Sequence, residues 1–204
     1  MERLKIFDEN MNPIGEASRE EVHQIGHWHE VFHCWFISKE QEKDYIYLQL
    51  RSKNKIDYPD LLDITAAGHL LAHETVEDGV REIHEELGVE VSLEKLESLG
   101  ILNYSVTKKG FIDNEFAHVY LHTFAGGLDE FVLQPEEVAG IVKADFNEFF
   151  RFWMGEVDEL RVVGFEENQD GLRIPIDKTV GRTAFVEHED GFYQGVVELI
   201  RAKL

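Results

Sequence analysis

The chain has 204 residues, 43% hydrophobic and 11% aromatic, enough for one well-buried core and too apolar for a disordered segment. Its 41 acidic against 20 basic residues give a formal net charge of −21, which repels nucleic-acid polymers and anionic membranes and leaves small molecules as the expected partners. The lone cysteine, Cys34, rules out an intrachain disulfide. No basic start followed by an apolar run is visible, nor any apolar run of membrane-spanning length, so a reducing, cytoplasmic home is expected.

In chain order, LKIFDENMNPIGEA reads as strand, turn and strand, with Asn10, Asn12, Pro13 and Gly15 supplying turn chemistry. VHQIGHWHE reads as a His-rich connector. VFHCWFIS and DYIYLQLRS are β-prone and joined by the polar KEQEK, which predicts a hairpin. Residues 53–69 read as a loop with short extended parts. A helix follows and stops near Gly88, with Thr75 as its expected N-cap and Asp78 completing a capping box. ILNYSVTK and GFIDNEFAHVYLHTF read as paired strands, PEEVAGIVKADF as loop and strand, and NEFFRFWMG as a short helix. Residues 155–187 carry no assignable pattern, and the end has helical spacing at Tyr193, Val197 and Ile200. The economical reading is one α/β (α+β) domain over 1–204, with N-terminal strands in 1–26 and a C-terminal helix in 188–204 as extensions.

The chemistry concentrates in REIHEELG. Glu82, Glu85 and Glu86 fall at i, i+3 and i+4 and share one helix face, apart from the apolar Val80, Ile83 and Leu87. Three like charges at that spacing cost helix stability unless a cation binds. Arg81, adjacent to Glu82 in sequence, is expected to point elsewhere. Mg²⁺ would reverse the penalty, taking carboxylate oxygens and keeping waters and phosphates as its other ligands.

The stretch resembles the Nudix hydrolase signature. Gly68, Glu74, Arg81, Glu82, Ile83, Glu85, Glu86, Gly88 and Val89 match it in order, but with six residues instead of seven between Glu74 and Arg81. One residue fewer turns a helix by about 100°, which the first turn must absorb for Glu74 to stay beside Arg81. The resemblance implies a Nudix fold, a mixed β-sheet sandwiched between α-helices. It implies a Mg²⁺- or Mn²⁺-dependent pyrophosphohydrolase cleaving a small diphosphate linked to X, such as a nucleoside diphosphate. Glu82, Glu85 and Glu86 become the metal ligands, with Glu85 or Glu86 holding the cation that activates water. Glu74, Arg81 and Gly88 become structural members of the motif, and Gly68 a substrate contact. Glu137 or Glu136 in QPEEV stands where some members place a general base; the competing reading is an exposed loop acid. Arg51 meets a phosphate or makes a surface salt bridge. Relatives leave monomer and homodimer open, since many pair through sheets or swapped N-terminal strands.

A second constellation comprises His23, His29, His69, Asp113 and Glu115, a sensible metal set by residue type. On a strand, His29, His33 and Trp35 share a face, as do Asp113 and Glu115. The ordinary alternative is histidines capping strands and acids facing water. Isopentenyl diphosphate isomerase, which is similar through WHEVFHCWFI, GH and IDNEF, implies a metal at these positions. That enzyme needs a cysteine before the Gly-His pair, where this chain has Ala67. The sequence is therefore expected to be a hydrolase of the isomerase-like branch, with an isomerase or a non-catalytic ligand sensor as alternatives. Trp28, Tyr104, Phe111 and Trp153 are candidates to stack on a base, or else core residues.

Overall fold

The computed structural model describes residues 2–204. In chain order the elements are β1 (Arg3–Phe7), β2 (Pro13–Ser18), α1 (Arg19–Ile25), β3 (Trp28–Glu40), β4 (Lys43–Arg51), β5 (Leu62–Asp63) and β6 (Ala66–His69). Then come α2 (Arg81–Leu87), β7 (Glu97–Lys108), β8 (Phe111–Thr123), β9 (Val138–Asp145), α3 (Phe146–Trp153), β10 (Leu160–Glu167), β11 (Arg173–Val180) and α4 (Phe192–Arg201).

β3 is the hub of the sheet. One of its edges is shared in turn by β1, β6 and β4, all antiparallel, while β8 lies parallel along it from Trp28↔Asn114 to Ile37↔Thr123. Beyond β4 the sheet continues through β9, β10 and β11. The strand period of two sends alternate residues to opposite faces. Val31, Trp35 and Ile37 join a core capped by α3 and α4, where Trp153 and Tyr193 stack at 3.7 Å. Phe32, Cys34 and Phe36 join the other core, against Ile83 and Leu87 of α2. The expected mixed sheet between helices is what the chain forms. No helix among the described residues is long and apolar enough to cross a membrane.

Three expectations are corrected. The His-rich connector is split between the end of α1, over residues 22–25, and the start of β3, over residues 28–30: the Ser18 side chain accepts from the Glu21 N–H, and Gly26 closes the helix at φ 83°. Residues 155–187, left unassigned, form the β10–β11 hairpin, from Leu160↔Val180 to Glu167↔Arg173. Its outer strand alternates poorly because it is a sheet edge with both faces largely solvated. The glutamate helix begins at Arg81, not Thr75. Asp78 does return to the Thr75 N–H at 2.8 Å, but it closes a turn ahead of a 3-10 step over Asp78–Val80. That irregular lead-in also absorbs the missing motif residue, because no continuous helix connects Glu74 to Arg81 and none needs rotating.

Candidate active site

α2 is seven residues long, too short to stand alone, and it is held by packing and by its neighbours. Ile83 and Leu87 anchor it in the core. Gly88 ends it at φ 69°, and the following loop supplies partners for its open carbonyls: Val132 N–H donates to Leu87 and Gln134 N–H to Glu86. The same loop carries Glu137 to the cavity that α2 faces.

The three motif glutamates line a cavity of about 360 Å³ but differ in setting. Glu86 is buried and accepts from the Ala67 N–H at 3.2 Å and Gln49 Nε2 at 3.4 Å. Burial pushes its carboxyl well above the usual range, reinforced by the neighbouring Glu82 charge. Burial likewise raises Glu82 to about 7, against the pull of Arg81. Glu85 is half-exposed. Arg81 does not point elsewhere: its guanidinium reaches Glu74 at 2.6 Å, Glu82 at 2.7 Å, Glu85 at 3.0 Å and the His69 carbonyl at 3.2 Å. Adjacency in sequence did not exclude contact, because a long flexible side chain at the start of a helix can fold back over the turn. Glu74 is thereby fixed beside Arg81 and also accepts from the Leu71 N–H at 2.8 Å.

Gly68 has a specific reason to be glycine. A Cβ there would lie 2.2 Å from the Glu82 carboxyl carbon, so the carboxylate rests directly on the bare backbone. Gly68→Ala is expected to displace Glu82 and cost roughly 10²-fold in turnover, with circular dichroism unchanged, since misplacing one group by about an ångström has that order of effect.

Arg51 lies at the cavity wall with its guanidinium engaged: Nη1 to Asp63 at 2.8 Å, Nε to the Tyr58 carbonyl at 3.0 Å and Nη2 to the Asp57 carbonyl at 2.8 Å. Its ion pair is buried rather than superficial, and these bonds use three of its five donors. Glu137 pairs with Lys55, and both line the cavity. Glu136 is exposed and outside it.

The second constellation converges on the same cavity. Among the described residues, ligand atoms of His23, His29 and His69, and of His29, Asp113 and Glu115, each gather within 4.8 Å. His23 Nδ1 shares a hydrogen bond with the Arg19 carbonyl at 2.8 Å, and His29 Nδ1 with the His27 carbonyl at 3.1 Å, so Nδ1–H is the donor in both. That tautomer leaves both Nε2 lone pairs facing Asp113 Oδ1, at 3.3 and 3.6 Å. His29 Nε2, His69 Nε2 and Asp113 Oδ1 are buried without a hydrogen-bond partner among the described residues. Orphaned buried atoms converging from imidazoles and a carboxylate fit a divalent cation. Burial lowers His29 to about 4 and puts His69 well below its ordinary value, so both present neutral nitrogens. With no cation between them, a proton on His23 Nε2 faces Asp113; burial opposes charge on both, but that contact prevails, raising the ring and lowering the carboxyl, while Glu115, buried beside them, is pushed upward.

The short strand β6 is the wall between the two sets. Ala67 binds Glu86, Gly68 carries Glu82, and His69 belongs to the histidines.

Sequence reasoning offered Tyr104 only as a stacking or core residue and His33 only as a neighbour of His29 on one strand face; it missed the Tyr104 hydroxyl donating to Glu115 and the His33 Nε2 lying 3.7 Å from the same carboxyl. The register Tyr104↔Glu115 would have shown the first, had the predicted hairpin been aligned residue by residue. It also missed Lys55 and His188, which come from irregular segments, and Asp63, at the end of the two-residue strand β5. Of the candidate stacking residues, Trp153 is core, Trp28 stacks on Phe116, Phe111 stacks on His23, and Tyr104 lines the cavity.

A family profile described as NUDIX domain matches residues 27–175. An uncharacterised Nudix hydrolase from Clostridium acetobutylicum is 37% identical over 199 residues, covering 98% of this chain and 97% of that protein. Isopentenyl-diphosphate Delta-isomerase 2 of Photorhabdus laumondii is 28% identical over 124 residues, 60% of this chain and 67% of that protein. The crystal structure of a MutT/nudix family protein from Enterococcus faecalis superposes with a TM-score of 0.55 at 13% identity, covering 85% of this chain and 61% of that one. At that identity the likeness speaks for the fold alone.

Proposed function

We propose that this chain, which belongs to the NUDIX domain family and is a Nudix hydrolase, cleaves a small soluble diphosphate by attack of water at phosphorus, using a divalent cation such as Mg²⁺ or Mn²⁺. The observation that carries the reading is two carboxyls set against β6, Glu86 buried and Glu82 with its side chain 13% exposed, with Arg81 paired to Glu82. Such a pair is held at an energetic cost that a cation would remove.

A bound divalent cation would neutralise phosphate oxygens and lower the pKa of the attacking water. The chain's own residues do the rest. Glu82, Glu85 and Glu86 would hold the ion. Arg81, spread across Glu74, Glu82 and Glu85, fixes the direction of those carboxylates. Lys55, with Arg51 at the wall, offsets the strongly negative protein where an anionic substrate must enter. Glu137 would take a proton from water, leaving Lys55, its partner at the cavity, to meet the phosphate. His23, His29, His69, Asp113 and Glu115 would hold a second cation.

One observation favours isomerase chemistry as a second reading: the Tyr104–Glu115 pair beside the histidines resembles a proton-transfer device. A thiol partner is missing, however. Ala67 occupies the position before Gly68, and Cys34 is fully buried in the core on the α2 side of the sheet.

The test is a panel of nucleoside, sugar-nucleotide and prenyl diphosphates with Mg²⁺ and Mn²⁺, scoring phosphate-containing hydrolysis products and double-bond isomers separately. Metal-dependent hydrolysis is the expected result. Conversion of isopentenyl to dimethylallyl diphosphate without hydrolysis would move the chain to the isomerase reading, and binding with no product at any metal concentration would make it a sensor.

A further inference from the structure

The chain between β11 and α4 folds back over one end of the cavity, beyond the last residue matched by the family profile. The Val186 N–H donates to the Leu62 carbonyl at 2.9 Å, and Tyr193 Oη donates to the Val186 carbonyl at 2.9 Å. This anchoring places His188 in the cavity wall with its side chain only 6% exposed. The ring stacks on Phe192 at 4.2 Å and stands edge-on to Tyr104 at 5.1 Å. Its Nε2 is 3.8 Å from Asp63 Oδ1, too far for a hydrogen bond. Among the described residues, neither ring nitrogen of His188 has a partner, and the neighbouring His33 Nδ1 has none either.

Asp63 is oriented for its part. Arg51 holds its Oδ2 and the Ile64 N–H donates to Oδ1 at 2.8 Å. Burial opposes its charge, but the Arg51 guanidinium and the Ile64 N–H hold the carboxyl below its ordinary range. One end of the cavity thus presents a fixed carboxylate and unsatisfied imidazole nitrogens. A hydrocarbon placed there would leave them desolvated and unpaired, which is unfavourable. A hydroxyl both donates and accepts, so it can give its proton to Asp63 or a bare ring nitrogen and accept from the ring N–H.

We propose that His188 and Asp63 form a subsite for a hydroxyl-bearing X group of the ribose or polyol type, selecting it over a hydrocarbon chain. The inference rests on the diphosphate-hydrolase reading for the identity of the remainder of the ligand. His188 and Asp63 are binding residues; they take no part in the attack on phosphorus.

The test uses two uncleavable probes of equal charge, the methylene-bridged analogues of uridine diphosphate and isopentenyl diphosphate. Each is titrated calorimetrically with Mg²⁺ into the full chain, its His188→Leu variant and its His188→Asn variant, with thermal melts recording that all three fold. The unsubstituted protein should bind the uridine analogue at least about tenfold more tightly. His188→Leu should remove about tenfold of that advantage, and His188→Asn, which keeps a donor near the Nδ1 position, should restore part of it. Equal binding of both probes, preference for the isopentenyl analogue, or equal weakening of both by His188→Leu overturns the subsite; the last result would mean that the ring is structural or holds only a water. Discrimination between the probes by a protein that cleaves no diphosphate would overturn the hydrolase reading and leave the subsite standing.

Discussion

Glu86→Gln should abolish diphosphate cleavage, by roughly 10³-fold or more, and leave the melting temperature of the metal-free protein unchanged or raised. Both halves follow from burial. Burial pushes the carboxyl well above its usual range, so the metal-free fold favours its neutral form. Glutamine nearly matches that neutral form in shape, and its carbonyl oxygen can accept from the Ala67 N–H as Glu86 Oε2 does. What the amide lacks is the ability to become an anion when a cation arrives, and metal-assisted stabilisation is worth several kcal/mol in the transition state. Steady-state turnover and a thermal melt, each with and without Mg²⁺, check the two halves together. Substantial turnover in the variant would remove Glu86 from the site, and a large fall in melting temperature would show that its charge matters to the fold itself.

Mg²⁺ should stabilise the protein far more at pH 8 than at pH 5.5. Glu82 titrates at about 7 in the folded protein against an ordinary 4.5, raised by burial. The folded state therefore binds its proton more tightly than the unfolded state does. As pH climbs from 4.5 to about 7, the unfolded chain releases that proton while the fold must retain it or bear a buried charge, so stability is lost over this window. The loss is on the order of 3 kcal/mol once pH exceeds the folded value. A cation that replaces the proton restores it, and for a chain of this size the recovery corresponds to about 5–10 °C in melting temperature. Below about pH 5 the proton and the metal compete and little stabilisation remains. Scanning calorimetry at the two pH values, with Glu82→Gln as control, measures the effect. The variant should show a smaller pH dependence, because its amide neither titrates nor repels Glu86.

Residues whose roles depend on short-range spacing were legible in the sequence. Glu82, Glu85 and Glu86 could be placed together because a helix repeat of 3.6 fixes which side chains are neighbours. Gly88 read as a stop because the left-handed cap suits glycine. The β7–β8 pairing was visible because each strand carries its own pattern. Contacts across the fold were not legible in that way. Arg81 was misread because side-chain reach is not a function of backbone periodicity. β11 escaped because an edge strand has no buried face to write an alternation into the sequence, and β10, though its burial alternates, then had no visible hairpin partner. His188 and Asp63 face one another across a sequence separation that no local pattern spans, and their bare nitrogens and carboxylate become meaningful only once the cavity exists.

The parallel pairing of β3 with β8 sets a timetable for assembly. His29 aligns with Glu115, and Trp28 with Asn114, so residues more than eighty positions apart must meet before the histidine–acid set exists. Closing so long a loop costs entropy before any contact returns it, and such pairings form slowly. The β3–β4 hairpin can close much sooner, since only the two residues between Glu40 and Lys43 separate its strands. A ribosome-bound chain that has emerged only through β6 already carries His23, His29 and His69 but not the acids that complete their cluster. Completion of that cluster therefore belongs to a late stage of the chain's folding, after β8 has docked.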